Sequence, residues 1–124
     1  MIFFLSLVIG LSEESLFRGL LQGGLDAWLS RVFEYVPTGS ELTAGTLLAL
    51  VLASSVFGAL HAATLTYALL AGAMGFYLGG IYIGTGNLLV PVLVHAFYDS
   101  AVMLHVLFSR GRAPYQEKET SNGE

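Results

Sequence analysis

Apolar residues fill this chain in four long blocks, from Ile2 to Phe33, Thr43 to His61, Thr64 to Ile83 and Leu88 to Phe108. Each block approaches or exceeds the roughly 20 residues that an α-helix needs to cross hydrocarbon. The pattern therefore predicts an all-α, polytopic membrane helix bundle with about four transmembrane helices. The stretch "EYVPTGSE" separates the first two blocks, and "GTGN" turns the third into the fourth. Asn87 is placed as an N-cap for the last helix, and Pro91 falls in its first turn, where a missing N–H is tolerated. No hydrophilic linker is long enough to divide the chain. One transmembrane domain is expected over residues 1–108, followed by a polar, disordered tail over 109–124 ("APYQEKETSNGE" at its end).

Composition sharpens that picture. Of 124 residues, 11% are charged, against about 25% in soluble domains, and the mean hydropathy is +0.72. No Asp, Glu, Lys or Arg occurs between Leu42 and Tyr98. A soluble protein of this size could not clothe its surface with so little charge, so the bilayer is the expected environment and nucleic acid is not an expected partner. The absence of cysteine excludes disulfides, thiolate metal sites and a cysteine nucleophile. "MIFFLSLVIGL" lacks a basic n-region and a small-residue cleavage site, so it reads as the first half of a span and not as a signal peptide. Arg110, Arg112 and Lys118 follow the last helix, against Arg31 alone on the other side. The positive-inside rule then places both termini in the cytoplasm, with the chain in the inner or plasma membrane. Ala71, Gly75 and Gly79, with Gly80 and Gly84, form rows of small residues on the third helix, which predict close helix packing.

Against this apolar background three groups of titratable residues stand out inside the predicted spans: Glu13, Glu14 and Arg18; His61; His95 and Asp99. Ionisable groups in hydrocarbon cost roughly 2.5–3.5 kcal/mol each on insertion scales. Glu14 and Arg18 are four residues apart and share a helix face, well placed for an ion pair. Glu13 is rotated away by one residue, so one carboxylate is neutralised and the other left available for general acid–base work. "FGALH" puts Phe57 and His61 on one face, and "HAFYD" does the same for His95 and Asp99. Asp99 either holds the tautomer of His95 or offers a separate polar group to the same cavity. An intramembrane Glu–Arg pair can simply clamp two helices. Three helices that each bring a polar cluster are most economically explained by one shared polar cavity.

"EESLFR" (Glu13 to Arg18), "FGALH" (Phe57 to His61) and "HAFYD" (His95 to Asp99) also match, in order, the motifs EExxxR, FxxxH and HxxxN/D. On these residues the chain resembles the CPBP family of intramembrane proteases. That family includes type II CAAX prenyl endopeptidases and the bacteriocin-processing or immunity proteins of the Abi group. The resemblance covers about Leu11 to Met103, and "NLLVPVLVHA" is similar to the family as well. It implies an intramembrane endopeptidase in which Glu13 activates a water jointly with His61. His95 and Asp99 would then stabilise the oxyanion, and Glu14 and Arg18, with Phe57, would support them. An ionised Asp cannot donate a hydrogen bond, so Asp99 would have to be protonated or act by charging and orienting His95. Glu13, His61 and His95 would also make an acceptable zinc set with an open position for water. The alternative is a metal-free mechanism, and the sequence does not separate the two.

Members of that family carry several more spans, mostly upstream, so the four helices correspond to the core of the fold without its upstream helices. Such a core is a candidate for homo-oligomerisation. Counting from Met1 puts Glu13 near mid-bilayer and His61 near the end of the second helix. The two meet only if the first helix protrudes or tilts, or the second continues past His61. The expected partners are the lipid bilayer and a peptide or protein substrate associated with the membrane. Two other functions compete: a catalytically silent binding or immunity protein of the same fold, and a proton- or ion-coupled carrier, since buried Glu and His chains also mark proton paths.

Overall fold

The computed structural model describes residues 1–33 and 42–110. Its elements are α1 (Ile2–Glu14), a π-helical stretch (Ser15–Gln22), α2 (Gly23–Val32), α3 (Ala44–Leu60), α4 (Leu65–Thr85) and α5 (Leu89–Arg110). The first three follow without a break, because the residues that join them, Ser15 and Gly23, keep right-handed helical backbone angles. The described residues thus form four continuous helices and no strand, an all-α bundle. The segment "EYVPTGSE" and the polar tail lie outside the described residues, except that Ser109 and Arg110 belong to α5.

Short polar side chains start and stop these helices. Thr43 and Thr64 cap α3 and α4, each accepting a hydrogen bond from the backbone N–H three residues on, at 3.0 and 3.1 Å. Gly86 closes α4 in the left-handed region at φ 61°, where only glycine is unstrained. The side chain of Asn87 accepts from Leu89 N–H at 2.9 Å and so launches α5, as its position predicted. By length and composition, α4 and the Leu89–Ser109 portion of α5 suffice to cross a membrane. With 17 residues, α3 is a shorter apolar helix, roughly 25 Å long. The first helix is interrupted by its polar row.

Packing resolves the depth problem raised by the position of Glu13. The N-terminal half of the first helix lies along α5, with Phe3 against Phe97 at 5.1 Å between ring centroids. Its C-terminal half lies along α3. The π-helical stretch (8 residues) and α2 (10 residues) together match the 17 residues of α3. Glu13 is therefore level with the C-terminal end of α3, where His61 sits, and α1 protrudes beyond it beside α5.

The π-helical stretch also has a consequence for the polar residues. Glu14, Arg18, Gln22, Asp26 and Ser30 recur every four residues. In an α-helix each step of four overshoots a turn, so such a row drifts around the surface. The wider i→i+5 turns rotate it the other way. With π turns over the first half and α turns over the second, the drifts offset, and the row stays on the side facing α3 and α4. Accordingly Glu14, Arg18 and Gln22 are all buried, while Asp26 accepts from Thr46 Oγ1 on α3 at 2.8 Å. The backbones of α3 and α4 come close at Gly58, where a Cβ would lie 2.6 Å from the carbonyl oxygen of Ala68.

Candidate active site

Three of the four helices bring their polar groups to one point. Glu13 and Glu14 end α1, His61 forms the C-cap of α3, and His95 and Asp99 lie on successive turns of α5. Together with Phe57, Tyr67, Leu70, Ala71, Met74 and Tyr98, all of these except Glu14 line a cavity of about 230 Å³. All four sequence-derived catalytic candidates, Glu13, His61, His95 and Asp99, therefore border the same space.

The two histidines are oriented by different partners. His61 Nδ1 is 2.8 Å from the carbonyl oxygen of Phe57. A carbonyl can only accept, so Nδ1 donates to it, and Nε2 faces the cavity. The His61 ring also stacks on Phe57 at 4.3 Å between centroids. His95 Nδ1 is 2.9 Å from Glu14 Oε1, and its Nε2 faces Asp99 Oδ2 at 3.5 Å and Glu13 Oε2 at 3.8 Å. Glu14, not Asp99, thus holds the Nδ1 edge of His95. Asp99 stands at the other edge, beside the nitrogen that faces the cavity.

Glu14 is fully buried and also lies 2.9 Å from Arg18 Nε, as the four-residue spacing predicted. That contact is Coulombic more than directional, because it does not meet hydrogen-bond geometry. Arg18 is held from two further sides: Nη2 donates to the carbonyl of Gly75 at 2.8 Å, and the guanidinium lies 5.3 Å from the centre of the Phe57 ring. Gln22, one step along the polar row, donates to the carbonyl of Gly79 at 3.3 Å. The small residues of α4 thus divide by task. Gly75 and Gly79 bare their carbonyls to the first helix, Ala71 lines the cavity, and Gly80 and Gly84 meet no neighbour.

Glu13 is the contrast. Its Oε2 stands 3.9 Å from His61 Nε2 and 3.8 Å from His95 Nε2. These gaps are too wide for direct hydrogen bonds and suit one bridging water. As a zinc set, Glu13, His61 and His95 have acceptable chemistry, but the separations exceed the roughly 3.4 Å edges of a tetrahedron with donors about 2.1 Å from the ion. Among the described residues no group of three His, Asp or Glu side chains is arranged to hold a metal. The arrangement does not fit a metal as it stands, so no step below is routed through one.

Sequence reasoning did not single out Gln22, Tyr67, Leu70, Met74 or Tyr98, and it noted Ala71 only as a small packing residue. For Gln22 a signal was present, since it continues the four-residue spacing of Glu14 and Arg18. The α4 residues are uncharged and look like any lipid-facing helix; only the fold reveals that they wall the cavity.

The chain is 31% identical over 126 residues, 99% of its own length, to a protein of Bacillus subtilis (strain 168) named "Uncharacterized protein YpbD". It spans about half of that curated relative, 54%. No solved structure matches the chain. A family model described as type II CAAX prenyl endopeptidase Rce1-like matches residues 1–101, which contain every residue of the cavity. The chain belongs to the Rce1-like family of type II CAAX prenyl endopeptidases.

Proposed function

We propose that the chain is an intramembrane endopeptidase that hydrolyses a peptide bond with a water activated by Glu13 and His61. The observation that carries this reading is the placement of the Glu13 carboxylate 3.9 and 3.8 Å from two imidazole Nε2 atoms at a cavity between helices. Glu13 takes a proton from the water while the oxygen attacks the scissile carbonyl carbon. The carbonyl π electrons move to oxygen, and the resulting oxyanion accepts a hydrogen bond from protonated His95 Nε2. Asp99 supports that role as an anion 3.5 Å from the same nitrogen, since a carboxylate has no hydrogen of its own to donate. Glu14, clamped by Arg18, fixes the ring from the Nδ1 side. The C–N bond then breaks as the proton held by Glu13 passes to the leaving nitrogen, giving a carboxylic acid and an amine, and proton transfer between them leaves a carboxylate and an ammonium.

The bilayer is the proposed setting, with both termini on the cytoplasmic side as the basic residues suggest. The test is cleavage of candidate membrane-associated peptides by the native chain and by Glu13→Gln in liposomes. Native cleavage that is lost in Glu13→Gln supports the reading; equal cleavage by both overturns it. A silent binding protein would cleave nothing in either form while retaining its peptide. Metal analysis and chelator treatment of the active preparation test the metal-free mechanism, which predicts full activity after chelation.

A further inference from the structure

Resting on the hydrolytic reading above, we infer that α4 is the specificity wall of the site. Ala71 and Met74 receive one apolar side chain of the substrate beside the scissile bond, and Ala71 limits its size. The polar groups of the cavity come from α1, α3 and α5. The contribution of α4 is Tyr67, Leu70, Ala71 and Met74, which stand at i, i+3, i+4 and i+7 and so make one face of that helix. Over these residues α4 rises about 10 Å. Tyr67 and Tyr98 are half-exposed, at 51% and 50%, and form the mouth, whereas Ala71 and Met74 are more enclosed.

The volume decides how a peptide can use this space. About 230 Å³ lies below the usual 300–1,000 Å³ of pockets for drug-sized ligands. It takes a side chain and a water, not a folded segment. The peptide must therefore cross the mouth extended, and in extended chain only alternate side chains point the same way. One side chain enters and its neighbours stay outside.

The chemistry of the walls selects that side chain. Glu13 and Asp99 repel an acidic one, and a basic one would pair with Glu13 and tie up the carboxylate that must take the proton. The opposite wall is hydrocarbon and thioether. At the inner end, Gly75 follows Ala71 by one turn and is closed by the Phe57 ring, while its carbonyl is held by Arg18. Met74 is flexible and adapts to its neighbour. Ala71 is a single methyl with no rotamer by which to yield, so the residue at position 71 sets the width.

The experiment is a peptide series that varies only the residue flanking the cleaved bond, among Ala, Leu, Phe and Asp, with the chain in liposomes. Native protein is expected to cleave the Leu peptide at least tenfold better than the Asp peptide in kcat/KM. Ala71→Leu should cost the Leu and Phe peptides at least tenfold more than the Ala peptide, chiefly through KM. Met74→Ala should favour Phe over Leu. An equal loss on every peptide, or an unaltered order, overturns the inference. Binding of the same peptides to Glu13→Gln, read by displacement of a fluorescent peptide, shows the size order without turnover. Size-ordered binding without native cleavage overturns the hydrolytic reading alone; binding without size order overturns the wall.

Discussion

Glu13 and Glu14 are neighbours in the chain and opposites in environment. Glu14 is fully buried, 2.9 Å from Arg18 and 2.9 Å from His95, in a cluster whose cation is in turn tied to the carbonyl of α4. Glu13 is 29% exposed and touches nothing closer than 3.8 Å among its charged neighbours. One residue of helical rotation separates a held carboxylate from a free one. The held carboxylate makes the free one useful: it fixes His95, and with His61 that ring frames the gap in which a water can meet Glu13. Two carboxylates with one role each is a recurring way to assign acid–base chemistry by surroundings.

The comparison breaks most sharply at Glu13 itself. Glu13→Gln keeps the shape and removes the base, so cleavage should fall by about 10² to 10⁴, while thermal unfolding in detergent stays close to native. A large loss of stability there would mean that Glu13 is structural and that the contrast with Glu14 is wrong. Arg18→Met should behave in the opposite sense. It removes one partner of a buried ion pair and leaves Glu14 to His95 alone, at a cost of about 3–5 kcal/mol of stability in a denaturant titration. The double variant Arg18→Met, Glu14→Leu should regain part of that loss without regaining activity, because His95 then lacks its Nδ1 partner. Gly58→Ala tests the frame with a smaller effect. The added methyl meets the Ala68 carbonyl at 2.6 Å and the Gly72 backbone at 3.0 Å. Overpacking of this kind costs about 1–3 kcal/mol, read as a lower unfolding midpoint, and the α3 displacement should carry His61 away from Glu13.

How much of this was written in the residues differs from part to part. The four helices were legible because their lengths, caps and apolar runs are local properties: Thr64, Gly86 and Asn87 act where they stand. The Glu14–Arg18 pair was legible from spacing alone. That Glu14 also grips His95 was not, since it depends on how α1 packs on α5, and no spacing within one helix encodes that. The π-helical turns were equally silent, because Ser15–Gln22 contains nothing that forbids an ordinary α-helix; they emerge where a four-residue polar row must stay on one side. Counting depth from Met1 left three ways for Glu13 to meet His61, a protruding or tilted first helix or a longer second one, and only the packing of α1 beside α5 selects protrusion. Ala71 and Met74 carry no chemical mark and become visible only as walls.

The smallest expected effect bears on the remaining ambiguity at the edge of the cavity. Asp99 Oδ2 is 3.5 Å from His95 Nε2, and the Asp99 side chain is 31% exposed. Partly solvated pairs are worth about 0.2–1 kcal/mol, so Asp99→Asn should leave stability nearly unaltered and lower kcat/KM by no more than about fivefold. The direction matters more than the size. If Asp99 acts as an anion that supports the positive charge on His95, the neutral amide must weaken catalysis. If Asp99 instead donates directly to the oxyanion, asparagine is the better donor and activity must rise. Steady-state cleavage by the two forms in the same liposomes gives the sign, and a rise in Asp99→Asn would move Asp99 from the ring of His95 to the substrate.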